Sequence, residues 1–281
     1  MDLHSGLPYW IVRNSLLDYF HPLEEDLSTD IVIVGSGITG ALMAHELCRA
    51  GIECCVIDKR SIATGSSAAS TALLQYEIDV PLCRMAKIIS EENAATAYHA
   101  CLQSISDIKK VLKETDVDAG FEQLSSVFYA SCSADNKLLE QEYEIRQKHE
   151  LPVNLLKKQE IRKRYKVKVP GNALVNETSA QMDAYRAATG LLTYHMKENG
   201  LKVFTHTNIK KCTETSDGCI MITDKGNKIK CGYVIVATGF EAGQFLPKKI
   251  MDLTSTYALI SHPVAPEYLW PEHCLIWETA D

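Results

Sequence analysis

Apolar positions fall into short continuous runs and helical-period stripes, separated by turn residues. Residues 31–34, four β-branched side chains, predict a buried strand. A glycine turn follows, then helical spacing through Leu47, with Gly51 placed as a C-cap. A second apolar run, Cys54-Cys55-Val56-Ile57, predicts another strand ending at Asp58. Over 90–115, Ala94, Tyr98, Leu102, Ile105, Ile108 and Leu112 recur on one helical face. Beyond it the pattern predicts a strand at 127–131, a charged helix at 136–149, a strand at 151–156 and a short basic helix at 159–165. A helix at 185–199, stopped by Gly200, precedes a strand at 202–209. Strands around 219–223 and 228–231 flank the turn 224–227, and 233–240 is a buried strand ending in Ala-Thr-Gly.

This order sets the fold expectation. A nucleotide fold of the NAD type passes promptly from its second strand to a third. Here the next strong nucleotide-fold strands, 202–209 and 233–238, come far later. The expectation is therefore an α/β protein with an interrupted Rossmann-like nucleotide domain, built as the FAD-binding domain of two-domain flavoproteins is. Its insertion is an α+β substrate domain with a mainly antiparallel sheet. The expected divisions are an arm at 1–29, a nucleotide domain at 30–80 with 171–246, and a substrate domain at 81–170 with 247–281.

The turn itself reads Gly35-Ser-Gly-Ile-Thr-Gly40. The first glycine lets the chain leave the strand sharply, the second admits a pyrophosphate to the backbone, and the third lets helix and sheet pack closely. The helix N-terminus offers amide donors and a partial positive charge. Asp58 stands where a carboxylate accepts ribose hydroxyls and repels the 2′-phosphate of NADP. The stretch 62–76 is rich in glycine and hydroxyls. It reads either as a surface loop in which Ser66 or Ser67 caps a helix from Ala68, or as a loop packed on a flat cofactor.

Composition narrows the partners. The 281 residues carry a net charge of −7, which disfavours nucleic acid or an anionic membrane as the main partner. Apolar runs stay far short of a bilayer span, and no secretory pattern opens the chain. Ten scattered cysteines without a CxxC pair suggest a reduced, cytoplasmic protein with no metal site. The basic cluster at 157–168 is interleaved with acids and reads as a solvated face, and the aromatic arm before Asp30 reads as packed on the domain surface. His45 and His195 fall in helices and read as packing or surface residues.

The ordered motifs resemble the D-amino-acid oxidase superfamily, the glycine and sarcosine oxidases and their FAD-dependent relatives. The matching residues are Asp30-Ile-Val-Ile-Val-Gly-Ser-Gly-Ile-Thr-Gly40, Val56-Ile-Asp-Lys59, Thr64-Gly-Ser-Ser-Ala-Ala-Ser-Thr71, Gln181-Met-Asp183, Phe204-Thr-His-Thr-Asn-Ile209 and Val234-Ile-Val-Ala-Thr-Gly239. The resemblance implies FAD. Gly35, Gly37, Ile38, Thr39 and Gly40 would hold its pyrophosphate, and Asp58 and Lys59 its adenosine end. Gly65, Ser66, Ser67 and Thr71 would contact the phosphates, ribityl chain or isoalloxazine edge. Ile209 would meet adenine through its backbone, and Thr238 and Gly239 would pass beside the pyrophosphate. It further implies hydride removal from the CH–NH group of a small amine or amino acid, with Gln75, Tyr257, Ser261 and His262 as substrate-side candidates.

Relatives of this kind continue past the point where this chain stops, into a segment that normally supplies an arginine for the substrate carboxylate. That difference raises the expectation of a C-terminally shortened chain. The alternative to an active enzyme is then a noncatalytic FAD- or nucleotide-binding fragment needing a partner or the missing segment, with self-association through an open sheet edge. An NAD-linked dehydrogenase is the remaining reading.

Overall fold

A computed structural model describes residues 3–15, 19–246, 248, 252–270 and 272–279. In chain order it begins with α1 (Tyr9–Asn14), β1 (Leu27–Val34), α2 (Ile38–Arg49), β2 (Cys54–Ile57), α3 (Ser66–Ala69) and β3 (Leu73–Leu74). There follow α4 (Leu82–Ile89), α5 (Glu91–Glu114), β4 (Glu122–Tyr129), α6 (Asn136–Lys148), β5 (Asn154–Leu156) and α7 (Lys158–Tyr165). The chain continues with β6 (Ala173–Gln181), α8 (Ala184–Glu198), β7 (Lys202–Phe204), β8 (Ile209–Thr215), β9 (Gly218–Thr223), β10 (Lys228–Val236) and β11 (Cys274–Glu278).

Two compact units result. The first comprises Met1–Ala72, Leu112–Ala119 and Asp183–Leu259. Its sheet runs β7-β2-β1-β10-β9-β8. The first four strands are parallel, and the last three form an antiparallel meander. Val32, Val34, Cys55 and Ile57 pack on one face with Leu23, Met221 and Ile229. Each such buried aliphatic contributes about 1.5–3 kcal/mol. On α2, Ala41 and Ala44 are buried, and α8 packs against this helix. His45 and His195 meet there, Nδ1 to Nε2 at 2.9 Å, and His195 Nδ1 pairs with Asn199 Oδ1 at 2.7 Å. Both histidines are buried.

The second unit comprises Leu73–Val111, Gly120–Met182 and Ile260–Asp281. Its sheet runs β11-β4-β6-β3, with β5 also on β6. All pairs are antiparallel except β11 with β4. Tyr76, Leu82, Ala94, Tyr98 and Ile105 form one core cluster. Trp277 of β11 stacks on Phe128 at 3.8 Å and donates its indole N–H to Ser126 Oγ at 2.9 Å.

Several elements differ from the sequence expectation. Residues 171–182 belong to the second unit, not with the nucleotide fold, because β6 pairs with β3, β4 and β5. The units divide after Ala72 and after Met182, and residues through Leu259 stay with the first. The strand expected at 202–209 stops at Phe204. There Thr205 donates its N–H to His21 O at 3.1 Å, Thr207 Oγ1 accepts from Leu23 N at 2.9 Å, and His206 takes φ +48°. Ile209 then opens β8, and the strands expected separately at 228–231 and 233–240 are one, β10. The helix expected from Ala68 starts at Ser66, and Gly65 occupies its N-cap position without a side-chain bond.

Among the described residues no helix is long and apolar enough to cross a membrane, and no group of three His, Cys, Asp or Glu side chains is placed to hold a metal ion.

Candidate dinucleotide site

Within the first unit, the ends of β1, β2 and β10 meet the start of α2 and the 64–70 loop around a cleft of about 270 Å³. Glycine sterics build it. Gly35 has φ +111°, and a Cβ there would lie 2.4 Å from Ala237 O, so the turn needs glycine for both conformation and approach. The register is locked on both sides, Gly35 N–H donating to Ile57 O and Ala237 N–H to Val34 O, each at 2.8 Å. A Cβ on Gly40 would lie 1.9 Å from Gly35 O, so α2 starts directly on the turn.

Of the residues singled out from sequence, Gly35, Gly37, Ile38, Thr39, Asp58, Lys59, Gly65, Ser66, Ser67, Ile209, Thr238 and Gly239 line the cleft. Gly40 lies behind it, supporting the turn, and Thr71 is exposed and is not among the lining residues. Ser67 does not cap its own helix. Its hydroxyl accepts the N–H of Ile38 at 2.9 Å and so ties the hydroxyl-rich loop to the first turn of α2. None of Gln75, Tyr257, Ser261 and His262 lines this cleft. Gln75 donates to Glu77 O at 3.4 Å, Tyr257 is 92 % exposed, and Ser261 donates to His262 O at 2.9 Å.

Asp58 is held by the protein itself. Its Oδ2 accepts from Ser36 N at 2.8 Å and Ser36 Oγ at 2.6 Å, and its Oδ1 accepts from Arg60 N at 2.8 Å. The carboxylate therefore fixes the glycine turn as well as facing the cleft. Sequence reasoning missed Arg60, Glu241 and Leu3, which also line it. Glu241 takes Lys59 Nζ on Oε1 at 2.7 Å and Arg60 Nη1 on Oε2 at 2.9 Å. No local pattern announced that contact, because the partners lie far apart in sequence.

Burial pushes the Glu241 carboxyl up, but the hydrogen bonds from Arg60 and Lys59 outweigh it and hold the group down to about 2. An acid depressed in the folded state contributes stability above its unfolded value, and loses it as pH falls through the folded one. Glu241→Gln is therefore expected to flatten the loss of urea resistance between the ordinary glutamate range, about 4.3, and pH 2. An unchanged acid limb in the variant would contradict this ion-pair account.

The cleft fits a dinucleotide on an observation independent of the motif. The hydroxyls of Ser66 and Thr238, both lining it, are buried with no hydrogen-bond partner in the protein. Two such hydroxyls on residues that line one glycine cradle fit a polar ligand there. A Cβ on Gly37 would come 2.9 Å from Ser67 Oγ and crowd the same opening.

The family described as FAD dependent oxidoreductase matches residues 30–279. This chain belongs to that family. Its cofactor is FAD. The fold recurs in solved structures. L-proline dehydrogenase from P. horikoshii is 25 % identical, with a TM-score of 0.63 over 78 % of this chain and 55 % of that one. Glycine oxidase from Geobacillus kaustophilus is 20 % identical, with a TM-score of 0.66 over 77 % and 57 %. A Bacillus subtilis protein named as a Rieske 2Fe-2S iron-sulfur protein, YhfW, is 24 % identical over 235 residues, covering 83 % of this chain and 44 % of that protein. The chain thus spans about half the length of these relatives.

Proposed function

We propose that the chain binds FAD in the cleft of the first unit and takes part in removing hydride from the CH–NH group of a small amine or amino acid. The observation that carries the cofactor assignment is the pair of orphaned hydroxyls, Ser66 Oγ and Thr238 Oγ1, in a glycine-lined cleft at a helix N-terminus. The substrate class rests on the family and on the names of the relatives, a proline dehydrogenase and a glycine oxidase.

Bound FAD supplies the hydride acceptor. The residues of the chain bind and orient. The Gly35–Gly40 turn and the start of α2 would receive the pyrophosphate, Asp58 and Lys59 the adenosine end, and Ile209 the adenine through its backbone. Ser66 and Thr238 would donate to polar oxygens, while Gly65, Ser67 and Gly239 keep the backbone close. Thr71 is proposed as a cofactor contact, and Gln75, Tyr257, Ser261 and His262 for the substrate side, on the family resemblance alone. The ten cysteines carry free thiols, which supports a reducing compartment such as the cytoplasm.

The test is the visible spectrum of the purified protein with released FAD quantified, followed by anaerobic titration with a panel of amino acids including proline and glycine. FAD near one per chain, bleached by at least one amine, is expected. A colourless protein that takes up no added FAD would overturn the cofactor assignment. Full flavin with no bleaching across the panel would overturn the substrate class.

The second reading, a flavin-binding chain that acts only with a partner or a second copy, is favoured by exposed apolar side chains. Tyr233 stands on β10, and Tyr257 and Leu259 lie on a segment without regular secondary structure, all with most of their surface in water. Sedimentation of the flavin-loaded protein distinguishes the two. A monomer that turns over amino acid excludes the partner requirement.

A further inference from the structure

The arm before β1 lies outside residues 30–279, the stretch matched by the family, yet it is built onto the cleft. Leu3 is one of the residues lining the cleft, and its Cδ1 lies 3.2 Å from where a Cβ on Gly65 would stand. Beside it, His4 Nε2 meets the carbonyl of Thr64 at 3.0 Å, and His4 Nδ1 meets Gly6 O at 3.1 Å. Farther along, Trp10 of α1 donates its indole N–H to Ser70 O at 2.8 Å. The arm thus grips both ends of the 64–70 loop, the segment that carries the orphaned Ser66 hydroxyl and the Ser67 tie to α2.

The far end of the arm is itself anchored. Asn14 donates from Nδ2 to Asp183 Oδ2 at 2.6 Å, and Asp183 Oδ1 caps α8 by accepting the N–H of Arg186 at 2.9 Å. An arm serving only to cover apolar surface would need none of these directional bonds to loop carbonyls. The loop also needs outside support. Ala63, just before it, takes φ +53°, and Ala72, just after it, takes φ +52°. Both are left-handed alanines, each strained by about 1 kcal/mol. A short loop held in strained backbone at both ends keeps its shape only when its surroundings fix it.

We infer that residues 3–14 form a clasp that is part of the cofactor site. Leu3 is a wall of the FAD cleft, and His4 and Trp10 are positioning residues that hold the 64–70 loop against the dinucleotide. This inference rests on the cleft being the FAD site. Clasp and cofactor then stabilise each other, and thermodynamic reciprocity requires the same coupling to be visible from either side.

The test reads both sides. The variant Leu3→Gly/His4→Ala/Trp10→Ala is compared with the unaltered chain by titrating apoprotein with FAD and following flavin fluorescence. A dissociation constant raised by about tenfold or more is expected, with the far-UV spectrum unchanged. On the unaltered chain, trypsin cleavage after Arg13 is timed with and without FAD. Saturating FAD is expected to slow it by about tenfold. Equal FAD affinity in variant and parent, or cleavage at Arg13 indifferent to FAD, would overturn the clasp while leaving the FAD site standing. Failure of the unaltered chain to bind FAD at all would overturn the site and the clasp together. If the variant does not fold, the proteolysis arm decides alone.

Discussion

Gly40→Ala is expected to strip the chain of FAD and to destabilise the first unit by about 1–3 kcal/mol. The added Cβ would lie 1.9 Å from Gly35 O and 3.0 Å from Gly35 C. Both are backbone atoms of a turn locked to β2 and β10, so no side chain can rotate out of the way. The start of α2 must lift instead. Its amides then leave the positions proposed to receive the pyrophosphate, and Ile38 leaves the Ser67 hydroxyl. Gly37→Ala is the informative comparison. Its Cβ would press on Ser67 Oγ at 2.9 Å, a side-chain atom, so flavin content is expected to fall with a smaller loss of stability. Urea unfolding of the apoprotein and flavin content after loading check both expectations. Full flavin and an unshifted midpoint in Gly40→Ala would show that α2 does not seat on the turn as described.

Arg146→Ala is expected to cost about 3–5 kcal/mol in the second unit. Arg146 is fully buried on α6, its Nε 2.7 Å from Glu142 Oε1 and its Nη1 3.3 Å from Glu77 Oε1. Tyr76 and Tyr98 present their rings to the guanidinium at 5.4 and 5.6 Å. Glu142 also receives the amides of Leu82 at 2.9 Å and Cys83 at 2.8 Å, so it seats the first turn of α4. Removing the arginine leaves two buried carboxylates without their cation. Burial works against the guanidinium charge, but Glu142, Tyr76 and Glu77 more than offset it and keep the group protonated.

Burial raises the Glu77 carboxyl above its ordinary value, against the pull of Arg146 and Asn176. A raised acid contributes stability below its unfolded value and loses it as pH climbs through the folded one. Without Arg146 that rise is larger, so Arg146→Ala is expected to resist urea better near pH 5 than near pH 8. Arg146→Met/Glu142→Gln/Glu77→Gln, which removes all three charges, should recover part of the loss. If Arg146→Ala alone costs under about 1 kcal/mol, the network is not the keystone of this unit.

The same network explains a strand that hydropathy concealed. β6 reads Ala-Leu-Val-Asn-Glu-Thr-Ser-Ala-Gln, and its polar centre breaks any apolar alternation. Yet Asn176 and Ser179 are buried, with Asn176 donating to Glu77 and its Oδ1 accepting from Ser179 at 3.2 Å. Buried polar side chains satisfied by distant partners look like loop in a linear pattern. The segment consequently fell on the wrong side of the expected domain division. A similar limit applied to Ser67, which local pattern offered as a helix cap or a cofactor contact, while its bond to the Ile38 amide needed α2 beside it.

Features that rest on short-range sterics and periodicity were legible along the chain. The glycine turn, the strands flanking it, the stripe along α5 and Gly51 and Gly200 just past α2 and α8 are properties of a few consecutive residues. The family and its cofactor were legible for the same reason, because the motifs are local and their order is linear. Tertiary structure alone decided how those pieces share work. It gave Asp58 the second task of fixing Ser36 and Arg60, and it set Glu241 against Lys59 and Arg60. It left the Ser66 and Thr238 hydroxyls unpaired at one cleft and laid the arm on the 64–70 loop. Each of these joins residues far apart along the chain. A pairing energy between distant groups leaves no trace in local pattern until the backbone brings them within hydrogen-bond reach.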